Sequence, residues 1–119
     1  MTSFILMLHA SPWSQQSVLT ACQFAQKAIE RGNRVKALFL YQDAVLNALS
    51  NLDIPSDELN GQAQLQQLHN KHGVPLLLCA TAAEKRGITE DTVQSGFQLA
   101  GLAELAEMSC ETDRVVQFK

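Results

Sequence analysis

Three short apolar runs, separated by longer segments with helical periodicity, constrain the fold of this chain more than any other feature. The runs cover residues 4–8, 35–41 and 74–79, and each is nearly continuous in apolar residues. Such runs are typical of strands that are covered on both faces. Between the first two, apolar residues recur every three or four positions, which predicts an amphipathic helix over residues 15–31. Strands that alternate with helices form mainly parallel sheets with helices on both faces.

The rest of the chain continues this alternation. We expect Ser14 to cap the first helix. After the second strand we expect a short helix and then a polar loop that Pro55 interrupts. The further elements predicted are helices at 43–49, 59–72, 80–86 and 97–110, the loop at 51–57, and a last strand at 114–118. In the helix at 97–110 the residues expected to face inward are Leu99, Leu102, Ala103 and Ala106. The prediction is one α/β domain over residues 1–119, a three-layer α/β/α arrangement around a mainly parallel sheet of four to five strands.

Charge and composition exclude several classes of function. The net charge is −3 and no run of Lys or Arg occurs, which argues against a nucleic-acid partner or a membrane surface. No apolar stretch approaches the roughly 20 residues of a membrane span, and the first residues lack the basic and apolar regions of a signal peptide. The three cysteines form no paired framework. We therefore expect a cytoplasmic protein with free thiols.

The carboxyl ends of the strands are where a parallel sheet places its functional residues. The first strand delivers His9, the second Tyr41, and the third Cys79 followed by Thr81. Cys79 directly precedes a predicted helix, whose backbone N–H groups and dipole favour a thiolate, and we expect an accessible thiol there. The alternative is that Cys79 is a small buried apolar residue that ends a strand. Similarly, His9 either exchanges protons near Cys79 or forms a hydrogen bond with the backbone.

The other cysteines and histidines have structural explanations. Cys22 lies on the inward stripe of the first helix and is predicted to be a packed, inert thiol, and Cys110 is expected to be half-buried. His69 and His72 share a predicted helix face but have no further ligand at metal spacing, so we interpret them as solvated surface residues. The turn at residues 9–14 lacks glycine and is no phosphate cradle. We predict neither a metal nor an organic cofactor.

Several segments resemble one known family, the DsrE/TusD sulfurtransferases. The strand–cysteine–helix segment at 76–88 resembles the active-cysteine segment of that family, and the other similar segments are 23–26, 39–45, 97–107 and 113–118. The resemblance implies a DsrE-like fold and a persulfide-carrying sulfurtransferase. In such proteins the cysteine at the position of Cys79 accepts a sulfane sulfur from a TusA-like donor. It passes the sulfur through a TusE-like acceptor towards the enzyme that thiolates the wobble uridine of tRNA.

The resemblance also implies partners and leaves alternatives open. TusD-like proteins act in a hetero-oligomer with TusB-like and TusC-like subunits, without direct contact to nucleic acid. The DsrE branch uses the same architecture in dissimilatory sulfur oxidation, and some members are subunits without a working cysteine, with structural or binding roles. No family motif assigns a role to His9 or Tyr41, so these residues and Thr81 are only possible supporting residues. The loop between Gly87 and Gly96 is shorter than is typical of TusD sequences.

Overall fold

Five parallel strands in one sheet form the centre of the molecule. The computed structural model describes residues 1–13, 15–52, 54 and 60–119. The strands are β1 (Ser3–Leu8), β2 (Arg34–Leu40), β3 (Leu76–Cys79), β4 (Phe97–Ala100) and β5 (Arg114–Phe118). Their order in the sheet is β4-β3-β2-β1-β5, and every neighbouring pair is parallel. The predicted α/β fold is confirmed, and the sheet has five strands.

Helices connect successive strands and cover the sheet. The α-helices are α1 (Gln15–Glu30), α2 (Gly61–His72), α3 (Ala80–Lys85) and α4 (Leu102–Cys110), and two 3₁₀ helices occupy Gln42–Ala48 and Glu90–Thr92. Right-handed crossovers place α1 and α2 on one face, and α4, which returns across the sheet from β4 to β5, on the other. The core lies between the sheet and the two helices α1 and α2. Its largest fully buried side chains include Ile5, Leu6, Leu38, Phe39, Leu65 and Leu78.

The first turn of α2 shows how closely α1 and α2 approach. The Oδ1 of Asn60 caps the helix by accepting a hydrogen bond from the backbone N–H of Ala63 at 3.0 Å. A Cβ at Gly61 would lie 2.7 Å from Cγ1 of Val18 on α1, so only glycine fits this contact. The predicted start of this helix at residue 59, most of the predicted loop at 51–57 and the proposed cap at Ser14 lie outside the described residues.

The prediction of one helix over residues 97–110 is wrong in its first part. Residues 97–100 form β4, in which Phe97 pairs with Leu76 and Ala100 pairs with Cys79. Strand pairing overrides the local helical spacing here, and Gly101 separates the strand from α4. The expected inward face is also wrong, because the α4 positions that pack partly against the core are other ones, Leu105 and Met108. The residues that were expected inside but are exposed are Leu102, Ala103 and Ala106.

A buried polar network anchors the segment that follows β2. The short helix predicted at 43–49 is present as a 3₁₀ helix over Gln42–Ala48. The Nδ2 group of the fully buried Asn47 donates to the carbonyl oxygens of Ala10 at 3.2 Å and Ala44 at 2.9 Å. The Nε2 group of Gln62 on α2 donates to the carbonyls of Asn47 and Leu49, each at 2.8 Å. The network therefore ties the loop after β1, the 3₁₀ helix and α2 together behind the carboxyl ends of the strands.

Candidate functional site

Cys79 is the last residue of β3 and lies directly before α3. Its side chain is buried, with 1% of the residue exposed, so the expectation of an accessible thiol at the strand end is wrong in that form. The residue instead lines an open cavity of about 260 Å³. The eight residues that line this cavity, hereafter the Cys79 cavity, are Tyr41, Gln42, Cys79, Thr81, Ala82, Lys85, Arg86 and Leu102. A flat protein surface cannot reach a thiol buried to this degree, whereas the cavity beside it is large enough to hold a small group.

The topology explains which residues meet there. Because β2 and β3 are adjacent and parallel, the residues that follow β2 lie beside the end of β3, which brings Tyr41 next to Cys79. Residues three and four apart on α3 share one helix face, and Thr81 and Lys85 lie on the face that lines the cavity. The first residue of α4, Leu102, follows β4 and contributes an apolar rim that is 48% exposed.

The charged groups of the cavity are cationic. The Nε and Nη2 groups of Arg86 both donate to Oδ1 of Asp43, at 3.1 and 2.9 Å, and Nη1 donates to the carbonyl of Ala82 at 3.0 Å. This ion pair joins the 3₁₀ helix after β2 to the end of α3. Within the described part of the chain, Lys85 forms no ion pair, and the cavity lining includes no carboxylate. The unpaired charge among the lining residues is therefore that of Lys85, which is exposed.

His9 lies beside the cavity rather than in it. Its Nδ1 is 3.1 Å from Oε1 of Gln42 and its Nε2 is 3.1 Å from Oε1 of Gln117 on β5. A neutral imidazole donates at one nitrogen and accepts at the other, so one of the two amides must then present its NH₂ group. The His9 ring also meets the ring of Tyr41 edge-on at 5.7 Å. The histidine thus contacts two residues of the cavity wall, and any effect on Cys79 passes through them.

Gln42 has an unusual backbone conformation at this edge. Its φ angle is 53°, in the left-handed region that favours glycine. For a residue with a Cβ this conformation costs about 1 kcal/mol or slightly more. The strain occurs where β2 passes into the 3₁₀ helix, and strained backbone of this kind tends to occur at functional sites.

The structure separates the three cysteines clearly. Cys22 is buried on α1, as predicted, and desolvation by burial raises the pKa of its thiol to about 12. It borders a smaller cavity of about 110 Å³ between α1 and α2, which His72 also lines. Cys110 is exposed rather than half-buried, so that expectation is wrong.

The two histidines of α2 are half-buried rather than solvated. The Nδ1 group of His69 donates to the carbonyl of Val74 at 2.9 Å, and its ring packs against Gly96. Among the described residues, no three His, Cys, Asp or Glu side chains are grouped so that they could hold a metal ion. Likewise, no helix in the described ranges is both long enough and apolar enough to cross a membrane.

The sequence placed Cys79, Tyr41 and Thr81 at the carboxyl edge of the sheet, and all three line the cavity. The prediction did not include the basic residues Lys85 and Arg86 or the apolar Leu102. The signal for Lys85 was present, because it lies four residues after Thr81 on the same short helix. No comparable signal marks Leu102, since its position depends on the boundary between β4 and α4.

Fold and site together define a class of protein, a parallel α/β domain with a cysteine in a cavity at the carboxyl edge of its sheet. Residues 2–118 match the model of the DsrE/DsrF-like family, and the chain belongs to that family. It is 36% identical to Sulfurtransferase TusD of Cronobacter sakazakii and 38% identical to Sulfurtransferase TusD of Erwinia tasmaniensis. Both matches cover 97% of this chain and 98% of the relative. The crystal structure of the ychN protein from E. coli superposes with a TM-score of 0.86 at 28% identity, covering 99% of this chain and 100% of that one.

The two alignments also bear on chain length. They extend over 126 and 127 positions, more than the 119 residues of this chain. Each relative therefore contains residues that have no counterpart here. In this structure the segment after Gly87 is held close to the domain, because the N–H of Gln94 donates to the carbonyl of Ala48 at 2.7 Å. A shortened loop between Gly87 and Gly96 stays a prediction.

Proposed function

We propose that this protein is a sulfurtransferase of a sulfur relay and that Cys79 carries the sulfur as a persulfide. The observation that carries the proposal is the position of Cys79. It lies at the carboxyl end of a central strand and lines a cavity, in a chain 36–38% identical to proteins named Sulfurtransferase TusD. The other two cysteines are less suited, since Cys22 is buried with a raised pKa and Cys110 lies on the exposed surface of α4.

The chemistry consists of two thiol exchanges. The Cys79 thiolate attacks the outer sulfur of a donor persulfide, the S–S bond of the donor breaks, and the donor leaves as a thiolate. The thiolate of an acceptor then attacks the outer sulfur of the Cys79 persulfide and regenerates the Cys79 thiolate. Neither step needs an oxidant, because the sulfane sulfur keeps its oxidation state. Rates of such exchanges depend on the thiolate fraction and on access to the sulfur.

Three neighbouring residues support this reaction in our proposal. Tyr41 and Thr81 line the Cys79 cavity, and in this proposal their hydroxyl groups donate hydrogen bonds to a negatively charged persulfide. His9 positions Tyr41 and Gln42 through its contacts with both. Because a hydrogen bond to a charged group is worth more than a neutral one, Tyr41→Phe or Thr81→Val is expected to slow transfer by roughly tenfold.

The names of the relatives favour the Tus relay over DsrE-type sulfur oxidation. In that relay the product would be the 2-thiolated wobble uridine of tRNA, and the reaction would take place in the cytoplasm. The sulfur would come from a TusA-like donor and pass to a TusE-like acceptor. The chain would act in a hetero-oligomer with TusB-like and TusC-like subunits.

The test is to load the protein with sulfur and locate it. The reduced chain is incubated with a cysteine desulfurase, cysteine and a TusA-type carrier, and its peptides are analysed by mass spectrometry. We expect one added sulfur on the Cys79 peptide, removable by dithiothreitol and absent from Cys79→Ala. Cys22→Ala and Cys110→Ser serve as matched controls and should load normally. Sulfur on Cys22 or Cys110 instead, or on no cysteine, would refute the assignment.

A further inference from the structure

The burial of Cys79 limits which donors can reach it. Only 1% of the residue is exposed, yet it lines a cavity of about 260 Å³. That volume corresponds to about nine water molecules at roughly 30 Å³ each. A donor must therefore bring its sulfur on a small molecule or on a slender group that enters the cavity.

The charges of α3 are divided between two cavities. Its basic end, Lys85 and the following Arg86, lines the Cys79 cavity. Its acidic residue, Glu84, lines a separate cavity together with Glu90 and Asp91. Arg86 is held by Asp43, whereas Lys85 has no ion-pair partner in the described ranges. The basic residues at the end of α3 thus line the Cys79 cavity, and the acidic residue of α3 lines the separate cavity.

We propose that the Cys79 cavity accepts a small sulfur oxyanion with a terminal sulfane sulfur, the class of which thiosulfate is the simplest member. The inference rests on Cys79 being the sulfur carrier, as proposed above. Thiosulfate has five non-hydrogen atoms and fits within the cavity. Lys85 binds its oxygen atoms, and the hydroxyls of Tyr41 and Thr81 complete the polar wall.

The transfer step balances without a further reactant. The Cys79 thiol loses its proton to solvent, and the thiolate attacks the terminal sulfur of thiosulfate. The S–S bond of thiosulfate breaks, a new S–S bond forms on Cys79, and sulfite leaves with the bonding electron pair. The products are one Cys79 persulfide and one sulfite for each thiosulfate. Lys85 reduces the repulsion between the thiolate and the dianion and stabilises the departing sulfite.

The test uses the full chain, fully reduced, with thiosulfate as the only sulfur source. Released sulfite is measured together with the mass of the Cys79 peptide. We expect saturable release of sulfite, one added sulfur on Cys79, competition by sulfate and no reaction in Cys79→Ala. Lys85→Gln is expected to lower kcat/KM for thiosulfate by about tenfold. Lys71→Gln is the matched control, because Lys71 is an exposed lysine on the distant Cys22 cavity, and it should leave the rate unchanged.

A parallel experiment with the persulfide carrier separates this inference from the proposed function. If the carrier loads Cys79 and thiosulfate does not, the oxyanion inference is wrong and the relay function stands. If Lys85→Gln and Lys71→Gln behave alike with thiosulfate, the anion site is refuted. If neither donor loads Cys79, the proposed function itself fails. A Lys85→Gln effect on thiosulfate but not on the carrier would support a dedicated anion site.

Discussion

The burial of Cys79 leads to a quantitative prediction for two substitutions that are usually treated as equivalent. The residue is 1% exposed and ends the buried strand β3. Cys79→Ala removes one sulfur atom, whose burial is comparable to that of a methylene group, about 0.8 kcal/mol. Because Cys79 borders an open cavity, the substitution enlarges existing space and creates no closed void, so the additional cavity penalty is small. We expect Cys79→Ala to lower the free energy of unfolding by about 1 kcal/mol.

Cys79→Ser is expected to be more destabilising than Cys79→Ala. Cys79 occupies the N-cap position of α3, but its side chain makes no capping hydrogen bond, so a hydroxyl in the same orientation has no backbone partner. A buried hydroxyl without a partner costs about 1–3 kcal/mol. Even with partial hydration from the cavity, we expect Cys79→Ser to be less stable than Cys79→Ala by about 1 kcal/mol. Alanine is therefore the better variant for functional controls.

Urea unfolding followed by far-UV circular dichroism measures both differences, provided that the m-value is unchanged. For a chain of 119 residues, 1 kcal/mol corresponds to a shift of about 4 °C in Tm. Wild-type stability in Cys79→Ser would refute the reasoning, because it would mean that the hydroxyl is solvated or caps α3. A loss of more than about 3 kcal/mol in Cys79→Ala would contradict it differently, since it would indicate packing on all sides and no cavity at the sulfur.

Three further predictions test the packing and the ionisable groups. Gly61→Ala places a Cβ 2.7 Å from Cγ1 of Val18, and this clash should lower the free energy of unfolding by about 1–3 kcal/mol. The higher helix propensity of alanine should offset up to about 1 kcal/mol of that loss. Val18→Ala in the same chain should recover part of that loss in a double-mutant cycle, and strict additivity would contradict the contact. Hydrogen bonds from the backbone N–H and hydroxyl of Ser3 lower the pKa of Asp113. Its contribution to stability is therefore present above the ordinary pKa of aspartate and lost as the pH falls through the lowered value. In Asp113→Asn the free energy of unfolding, measured in urea, should depend less on pH over that acidic range. An unchanged dependence on pH would refute the linkage. Finally, iodoacetamide at pH 8 should modify the exposed Cys110 in the native protein. It should modify Cys22, whose pKa is raised to about 12, only after urea has unfolded the chain. Rapid modification of Cys22 in the native protein would show that its burial is incomplete.

The central strands could be predicted from the sequence because burial on both faces leaves a direct signal. The apolar runs at 4–8 and 35–41 coincide with β1 and β2 to within one residue at each end. β4 could not be predicted in the same way. Three of its four residues are apolar, but the run is short, and Phe97 and Ala100 have the three-residue spacing of a helix. Their state depends on pairing with β3, a contact that no local pattern encodes.

The error at β4 and the error about the exposure of Cys79 have one cause. If residues 97–100 were helical, β3 would be an edge strand and its last residue would lack a strand neighbour on one side. With β4 in place, Cys79 pairs with Ala100, and the following helix begins at Leu102 on the cavity rim. Topology alone could place Tyr41, Cys79 and Thr81 together, because it depends only on strand order and chain direction. The burial of the thiol depends on a strand that was not predicted.

The walls of the Cys79 cavity differ in how firmly they are held. The wall formed by Tyr41 and Gln42 follows the buried strand β2 and is backed by the network of the buried Asn47. The wall of α3 is tied to it by the Arg86–Asp43 pair. The α4 wall is different, because none of its nine residues, all of them described, is buried. Elements with few buried contacts open at the lowest free energy, so we expect the α4 side of the cavity to open more readily than the other two walls.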